Sequence, residues 1–360
     1  MKQPRGSRRQ HNVPTISDVA ARAGVSPMTV SRVINAKNSV RVETRERVEA
    51  AIAALNFAPN AAARTLAGGE EIRIGLLHYN PSFAYLSELL VGSLDQASRS
   101  NVQLIVEKCE SPAQASAAIA HLVLGRVDGI VLPPPLSDSP EVLAAVEQAG
   151  VPVVAVATGS APDWAMSVSI DDRQAAYEMT RHLGTLGHVR IGFITGNPDQ
   201  SASGERLAGY RAALVDLGLG ELPELIAPGL FTYRSGMDAA EVLLDLDAPP
   251  TAIFAANDDM AAATVAIAHR RGLDVPGDLT VCGFDDTALA TTIWPELTTI
   301  RQPVTEMSRI AVELLVEAVR AAKAGTQRLS SEPHVVAGYT LIRRQSDAAP
   351  RRRPAAARSR

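Results

Sequence analysis

TISDVAARAGVSPMTVSRVIN, residues 15–35, reads as two short helices around a tight turn. Thr15 and Asp18 stand three apart, the spacing of a capping box, so a helix starts after Thr15. Val19, Ala20 and Ala23 share one face of it. Gly24 stops it, because the residue past a helix end often needs a positive φ. Ser26 caps a second helix, and Pro27 sits at the first helical position, where a missing N–H costs nothing. Val30, Val33 and Ile34 form its inner face, with Ala20 small where the helices cross. This is the spacing of a helix-turn-helix. The outward residues Met28, Thr29, Ser31, Arg32 and Asn35 would then face a major groove. A third helix is expected over 42–55, with Val48, Ile52 and Leu55 inward. The alternative is a three-helix bundle with no nucleic-acid role.

Charge favours the groove. The 360-residue chain has a formal net charge of −4, but residues 1–68 hold eleven Lys/Arg against four acids, a net +7. The last eighteen residues, from 343, carry +6, which leaves −17 on the stretch between. A basic head on an acidic body suits a polyanion that meets only the head. Residues 1–14 are expected to be a disordered basic arm, and the Arg/Pro/Ala-rich 343–360 a disordered tail.

Residues 70–342 alternate apolar runs of strand length with amphipathic stretches. Strands are expected at 72–77, 102–106, 129–132, 153–156, 167–170, 190–194, 252–255 and 279–284. Helices are expected at 83–98, 112–124, 173–186, 205–217, 236–246, 260–271 and 305–324. Strand–helix alternation implies parallel sheets covered on both faces. About 270 residues exceed one comfortable core, so two α/β lobes are expected. Ligands of such sheets bind beyond the strands' carboxyl ends. That rule singles out residues 78–82, Asp171, Gln200, Asn257, Asp258, Asp285 and Asp286. Each alone would also serve as an ordinary cap or turn residue.

The segment DVAARAGVSPMTVSRVIN, together with residues 36–68, closely resembles the head of the lactose-repressor/purine-repressor (LacI/GalR) family of bacterial transcription regulators. The resemblance continues more loosely to about residue 342. It implies a helix-turn-helix DNA-binding head at 15–58 and a hinge at 59–69. It implies a type I periplasmic-binding-protein-like body, with lobe one at 71–167 plus 301–329 and lobe two at 168–300 plus 330–342. Thr15, Ser26, Pro27, Met28, Thr29, Ser31, Arg32 and Asn35 are the implied DNA contacts of the head, and Asn60, Ala63 and Leu66 those of the hinge. Leu66 matches a leucine that wedges between base pairs in the minor groove, as an apolar side chain without a core can. A plain linker packing Leu66 on the body is the other reading. Arg206, Asn257 and Asp285 match effector contacts, and Tyr85 and Phe231 match residues lining the effector pocket. Pro27 and Met28 stand where relatives often carry base-reading polar residues, so the operator does not carry over. Ala157 and Thr158 replace an acid common in sugar binders. Gln200 and Ala202 differ from the purine-binding member. A sugar or sugar derivative is the implied effector.

Motifs for catalysis are missing: no P-loop, GxSxG or HExxH, and no cysteine pair at zinc spacing. Cys109 and Cys282 read as small buried hydrophobes, so neither metal nor cofactor is expected. No apolar run reaches membrane length, and no apolar segment follows the basic N-terminus, which places the chain in the cytoplasm, at the nucleoid. The expected protein is an allosteric repressor, homodimeric, on a pseudo-palindromic operator. A solute-binding receptor on the same body and an α/β enzyme are the rival readings.

Overall fold

The computed structural model describes residues 14–34, 40–57, 71–79, 82–109, 111, 114–325 and 333–351. They divide into two units, one ending at Glu71 and one beginning at Ile72.

The first unit is three helices: α1 (Ile16–Ala23), α2 (Pro27–Ile34) and α3 (Val42–Leu55). Thr15 and Asp18 cap α1 reciprocally, and Gly24 ends it in the left-handed region at φ 66°. The Ser26 hydroxyl accepts from the backbone N–H of Thr29 at 3.2 Å and so caps α2. Val19, Ala20, Ala23, Val30, Val33, Val48 and Ala51 are the buried core. Three of those seven are alanine, so the core holds little apolar area and the caps matter to its stability.

The second unit holds two six-stranded sheets. The first runs β11–β5–β4–β3–β1–β2 and is parallel throughout. Its strands are β1 (Arg73–His78), β2 (Gln103–Lys108), β3 (Gly129–Leu132), β4 (Val153–Val156), β5 (Met166–Ser169) and β11 (His334–Val336). The second runs β12–β10–β9–β8–β6–β7. It comprises β6 (Ile191–Ile194), β7 (Ile226–Ala227), β8 (Ala252–Ala255), β9 (Thr280–Asp285), β10 (Thr298–Arg301) and β12 (Thr340–Ile342). Only β12 runs antiparallel to its neighbour. Every residue of β3, β4, β6, β8 and β9 is buried, which is why these strands read as unbroken apolar runs rather than alternating ones.

Three boundaries differ from expectation. Residue 168 falls inside β5, which belongs wholly to lobe one. β11 also belongs to lobe one, and only β12 joins lobe two. The chain thus changes lobes near 170, 302 and 338. A three-residue strand beside another sheet carries no periodicity to show which lobe it joins.

The tail is the third correction. Residues 343–351 are bonded into lobe two instead of being disordered. The Ser346 hydroxyl donates to the Val281 carbonyl at 2.5 Å and accepts from the Thr298 N–H at 2.9 Å. Asp347 accepts from the Thr298 hydroxyl and lies 2.7 Å from His182 Nε2. Composition averaged over 343–360 hides Ser346 and Asp347, the two residues that close the starts of β9 and β10. The basic arm to residue 13, Asn35, the hinge at 59–69 and the tail beyond 351 lie outside the described residues.

Candidate functional site

In the first unit, α2 presents an outer face of Pro27, Met28 and Arg32, all exposed. Met28 is 67% exposed, far more than a methionine packed on a core. Arg32 reaches back to the Met28 sulfur, four residues before it. Thr29 and Ser31 are half-buried beside them, and the Thr29 hydroxyl is 2.9 Å from that of Ser26. Thr15 is exposed at the start of α1. The face is one cation, one polarizable apolar chain and several hydroxyls, held on a helix whose other side is buried. Asn35, Asn60, Ala63 and Leu66 lie outside the described residues.

In the second unit, the carboxyl ends of seven strands converge on one cleft of about 440 Å³, open to solvent at its mouth. Tyr85 enters from the first turn of α4 (Phe83–Ser100), which Ser82 caps after β1. Pro134 follows β3, Ala157 follows β4, Gln200 follows β6 and Asn257 follows β8. Asp285 ends β9, Gln302 follows β10, and Arg206 comes from α8 (Ser201–Asp216). The structure therefore brings together six of the seven residues singled out for the effector: Tyr85, Gln200, Arg206, Phe231, Asn257 and Asp285.

Asp171 is the seventh, and it points elsewhere. It caps α7 (Asp172–Thr185) by accepting from the Gln174 N–H at 2.8 Å, and it does not line the cleft. Its neighbour Asp172 is the buried acid. In an Asp–Asp pair at a helix start, one faces solvent and the other the core, and the sequence does not say which. Gln302 was missed for another reason. TTIR at 298–301 has no apolar pattern, so β10 was not expected, and neither was a residue at its end.

Charge in the cleft centres on Arg206. Its Nε donates to Asp172 Oδ1 at 2.7 Å, and one terminal nitrogen donates to the Ala256 carbonyl at 2.6 Å and lies 3.8 Å from Asp285 Oδ1. The guanidinium carbon sits 3.6 Å from the centre of the Phe284 ring and 5.7 Å from that of Phe231, close enough for cation–π attraction. One cation faces two buried carboxylates. Burial pushes the Asp172 carboxyl above its usual range, with Arg206 opposing. Burial likewise raises Asp285 to about 7, against Arg206 and the Gln302 amide.

Local backbone fixes the remaining walls. Asn257 caps α10 (Asp258–Arg270) through its side-chain oxygen and donates from Nδ2 to the Phe231 carbonyl at 3.1 Å. Phe231 has φ 58°, and its ring covers Gly196, where any Cβ would lie about 2.0 Å from it. Glycine at 196 is thus what lets the aromatic face reach the cleft. Among the described residues, hydrogen bonds join the lobes beside Ser82 and beside Ser201. The Ser82 hydroxyl donates to Asp259 Oδ2 at 2.6 Å. Ser201 accepts from the Gly159 N–H at 2.9 Å, and its own N–H donates to Asp138 Oδ2 at 3.2 Å.

Residues 15–60 match the lacI family of bacterial regulatory proteins, and residues 180–346 match the periplasmic binding protein-like domain. Catabolite control protein A of Priestia megaterium is 35% identical over 307 residues, which cover 84% of this chain and 92% of that protein.

The chain belongs to the LacI family.

Solved LacI-family structures match along nearly the whole chain. The transcriptional regulator CelR in complex with cellobiose has 31% identity and a TM-score of 0.71, covering 93% of this chain and all of that one. The lac repressor dimer bound to operator and the anti-inducer ONPF has 28% identity and a TM-score of 0.74, covering 93% and 99%. Membership makes the first unit the DNA-binding head and the chain a DNA-binding transcriptional regulator. Among the described residues no helix is long and apolar enough to cross a membrane.

Proposed function

We propose that this regulator is a repressor whose affinity for a pseudo-palindromic operator is set by a neutral sugar or sugar derivative held in the cleft. One observation carries the ligand reading: Arg206, Asn257 and Asp285 converge, buried, beside the aromatic face of Phe231. A cation, an amide and a carboxylate serve adjacent hydroxyls, and the ring serves the apolar face of a pyranose. The similar regulator CelR is in complex with cellobiose, a neutral disaccharide, which agrees with this reading. The protein acts by binding rather than by catalysis, in the cytoplasm.

Two chains pair through their bodies. Val91 and Leu94 of α4 are each 55% exposed, and Trp294 is 71% exposed, apolar surface of the kind a partner covers. Two heads in a two-fold dimer then read two half-sites. Pro27, Met28, Thr29, Ser31 and Arg32 face the bases, with Thr15 and Ser26 at the phosphates. Asn60 and Ala63 follow the minor groove, and Leu66 wedges into it.

The test is a thermal-shift screen of sugars on the full-length chain, with hits repeated in operator binding on sites selected from random duplex. A sugar that stabilises the chain and changes operator affinity supports the reading. No preference for any selected duplex over random DNA would overturn it.

A further inference from the structure

Asp285 and Asp286 have φ 110° and 59°, two consecutive residues in the left-handed region that favours glycine. Such a backbone persists only where its surroundings hold it. Asp285 ends β9 in the cleft, where it accepts from Gln302 Nε2 at 2.6 Å and lies 3.8 Å from Arg206. The Thr287 N–H donates to the buried Asp258 carboxylate at 2.9 Å. Asp286 is braced by two arginines, neither of which lines the cleft. Arg301 Nε donates to Asp286 Oδ2 at 2.6 Å. A terminal nitrogen of Arg344 lies 2.6 Å from Oδ1, an ion pair without hydrogen-bond geometry.

The two arginines are unequal. The Arg301 side chain is 55% exposed, so solvent screens it, whereas that of Arg344 is 11% exposed and that of Asp286 only 4%. The pair held away from water is the one whose loss strands a charge. Arg344 is itself fixed: its backbone N–H donates to the Thr298 hydroxyl at 2.9 Å, and a terminal nitrogen donates to the Leu297 carbonyl at 2.8 Å. Arg301 ends β10, just before the connection near 302 that leads into α12 (Val304–Lys323). Arg344 follows β12, which the chain enters through the connection near 338. Asp286 therefore joins the lobe-two ends of two of the three connections. Its field also reaches lobe one. Burial raises the carboxyl of Glu88, on α4, with Asp286 adding to the rise and Arg301 opposing it.

We propose that Arg344 is a positioning residue for the cleft. From the C-terminal segment it fixes Asp286, and through Asp286 the left-handed turn that aims the Asp285 carboxylate and steadies the connection at 302. Segment 343–351 is thereby part of the switch as well as a brace for lobe two. The consequence for binding rests on the reading of the cleft as a sugar site, while the hold on the turn does not.

Hydrogen exchange on the full-length chain needs no ligand, and the Thr287 amide reports the turn. Arg344→Met removes the charge and keeps a long side chain. It speeds exchange of the peptide spanning 284–292 by about 10-fold. Arg344→Lys restores most of the protection. Ser346→Ala loosens the same segment away from Asp286, so it lowers the melting temperature and leaves that peptide at the parent rate. Combined with Asp286→Asn, Arg344→Met costs less than the sum of the two single changes, since both break one contact. Unchanged exchange in Arg344→Met overturns the assignment, and so does equal acceleration by Ser346→Ala. Calorimetric titration with cellobiose and with the saccharides returned by the thermal-shift screen follows the effect into the cleft. A saccharide that the parent binds loses about 10-fold in affinity with Arg344→Met and nothing with Ser346→Ala. Equal affinity in the parent and in Arg344→Met overturns the assignment while leaving the sugar reading intact. If exchange changes as expected and no saccharide binds, the sugar reading fails and the hold of Arg344 on the turn stands.

Discussion

Arg206 faces two carboxylates, Asp172 and Asp285, and all three side chains are buried. Removing one partner of a buried ion pair leaves an uncompensated charge, which typically costs about 3–5 kcal/mol. Arg206→Ala is therefore expected to destabilise the body as well as remove the sugar response, and the two effects separate with pH. In the variant, Asp172 and Asp285 have no cation and take up protons more readily, so its deficit in melting temperature should shrink as pH falls from 8 to 5. A deficit constant across that range would count against this charge balance. Asp285 supplies the converse test. Its folded-state pKa is raised to about 7, from an unfolded value of about 4. Between those values the folded chain binds more proton than the unfolded one, so this group's contribution is complete below about pH 4 and is lost as pH rises through 7. Asp285→Asn removes that slope. Melting curves from pH 4 to 8 should show the variant gaining on the parent as pH rises. Parallel curves would mean that Asp285 stays ionised throughout.

At the scale of elements, the head and the tail segment behave oppositely with respect to the sequence. α1 and the start of α2 were legible nearly to the residue because each carries its own signal: Thr15 with Asp18, Gly24, and Ser26 before Pro27; α3, whose N-cap Arg41 makes no side-chain cap bond, was legible from its apolar face instead. Those signals are local, and the head's small core leaves stability to them. Gly24→Ala forces a Cβ into a φ of 66° and should lower the melting temperature of the head, at a cost of about 1 kcal/mol, while the body's transition stays put. Calorimetry of the two transitions measures it. The central strands were equally legible, because burial on both faces writes an apolar run. β10, β11 and β12 were not, because β11 and β12 are only three residues long and the TTIR of β10 shows no apolar run. The cleft shows the same division. Asn257 and Asp285 follow strands visible in the sequence. Gln302 follows one that is not, and Asp172 differs from Asp171 only in which way a helix start turns. Residues 343–351 were the largest miss, since only the folded lobe offers Val281 and Thr298 for Ser346 to bond. Burial raises the Asp347 carboxyl, but His182 and Thr298 outweigh it and leave the pKa below its usual value, so the clasp weakens as pH falls through the carboxylate range. Truncation after Ile342 should lower the body's melting temperature by several degrees. Truncation after Arg351 should leave it unchanged. Equal behaviour of the two truncated chains would show that the clasp contributes nothing.

For the whole molecule, the charge division and the cleft make separable claims about the same equilibrium. A head of net +7 that neutralises phosphates must release counterions, so operator affinity should fall steeply and linearly on a log–log plot against salt. The sugar's affinity for the cleft, where the charges are already paired internally, should barely change over the same range. The coupling between the two is bounded by thermodynamics. A ligand moves the equilibrium between shapes only through its different affinity for them. Whatever factor the sugar imposes on operator affinity, operator DNA must impose on sugar affinity, and for ordinary allosteric coupling of about 1–3 kcal/mol that factor is about 5- to 150-fold. Titrating sugar into the chain with and without saturating operator, and operator with and without saturating sugar, gives four affinities that must close. Closure within error with a factor above one establishes coupling and also fixes its sign: weaker operator binding makes the sugar an inducer, tighter binding a co-repressor. Closure at a factor of one would leave a DNA-binding head and a sugar-binding body that share a chain without communicating.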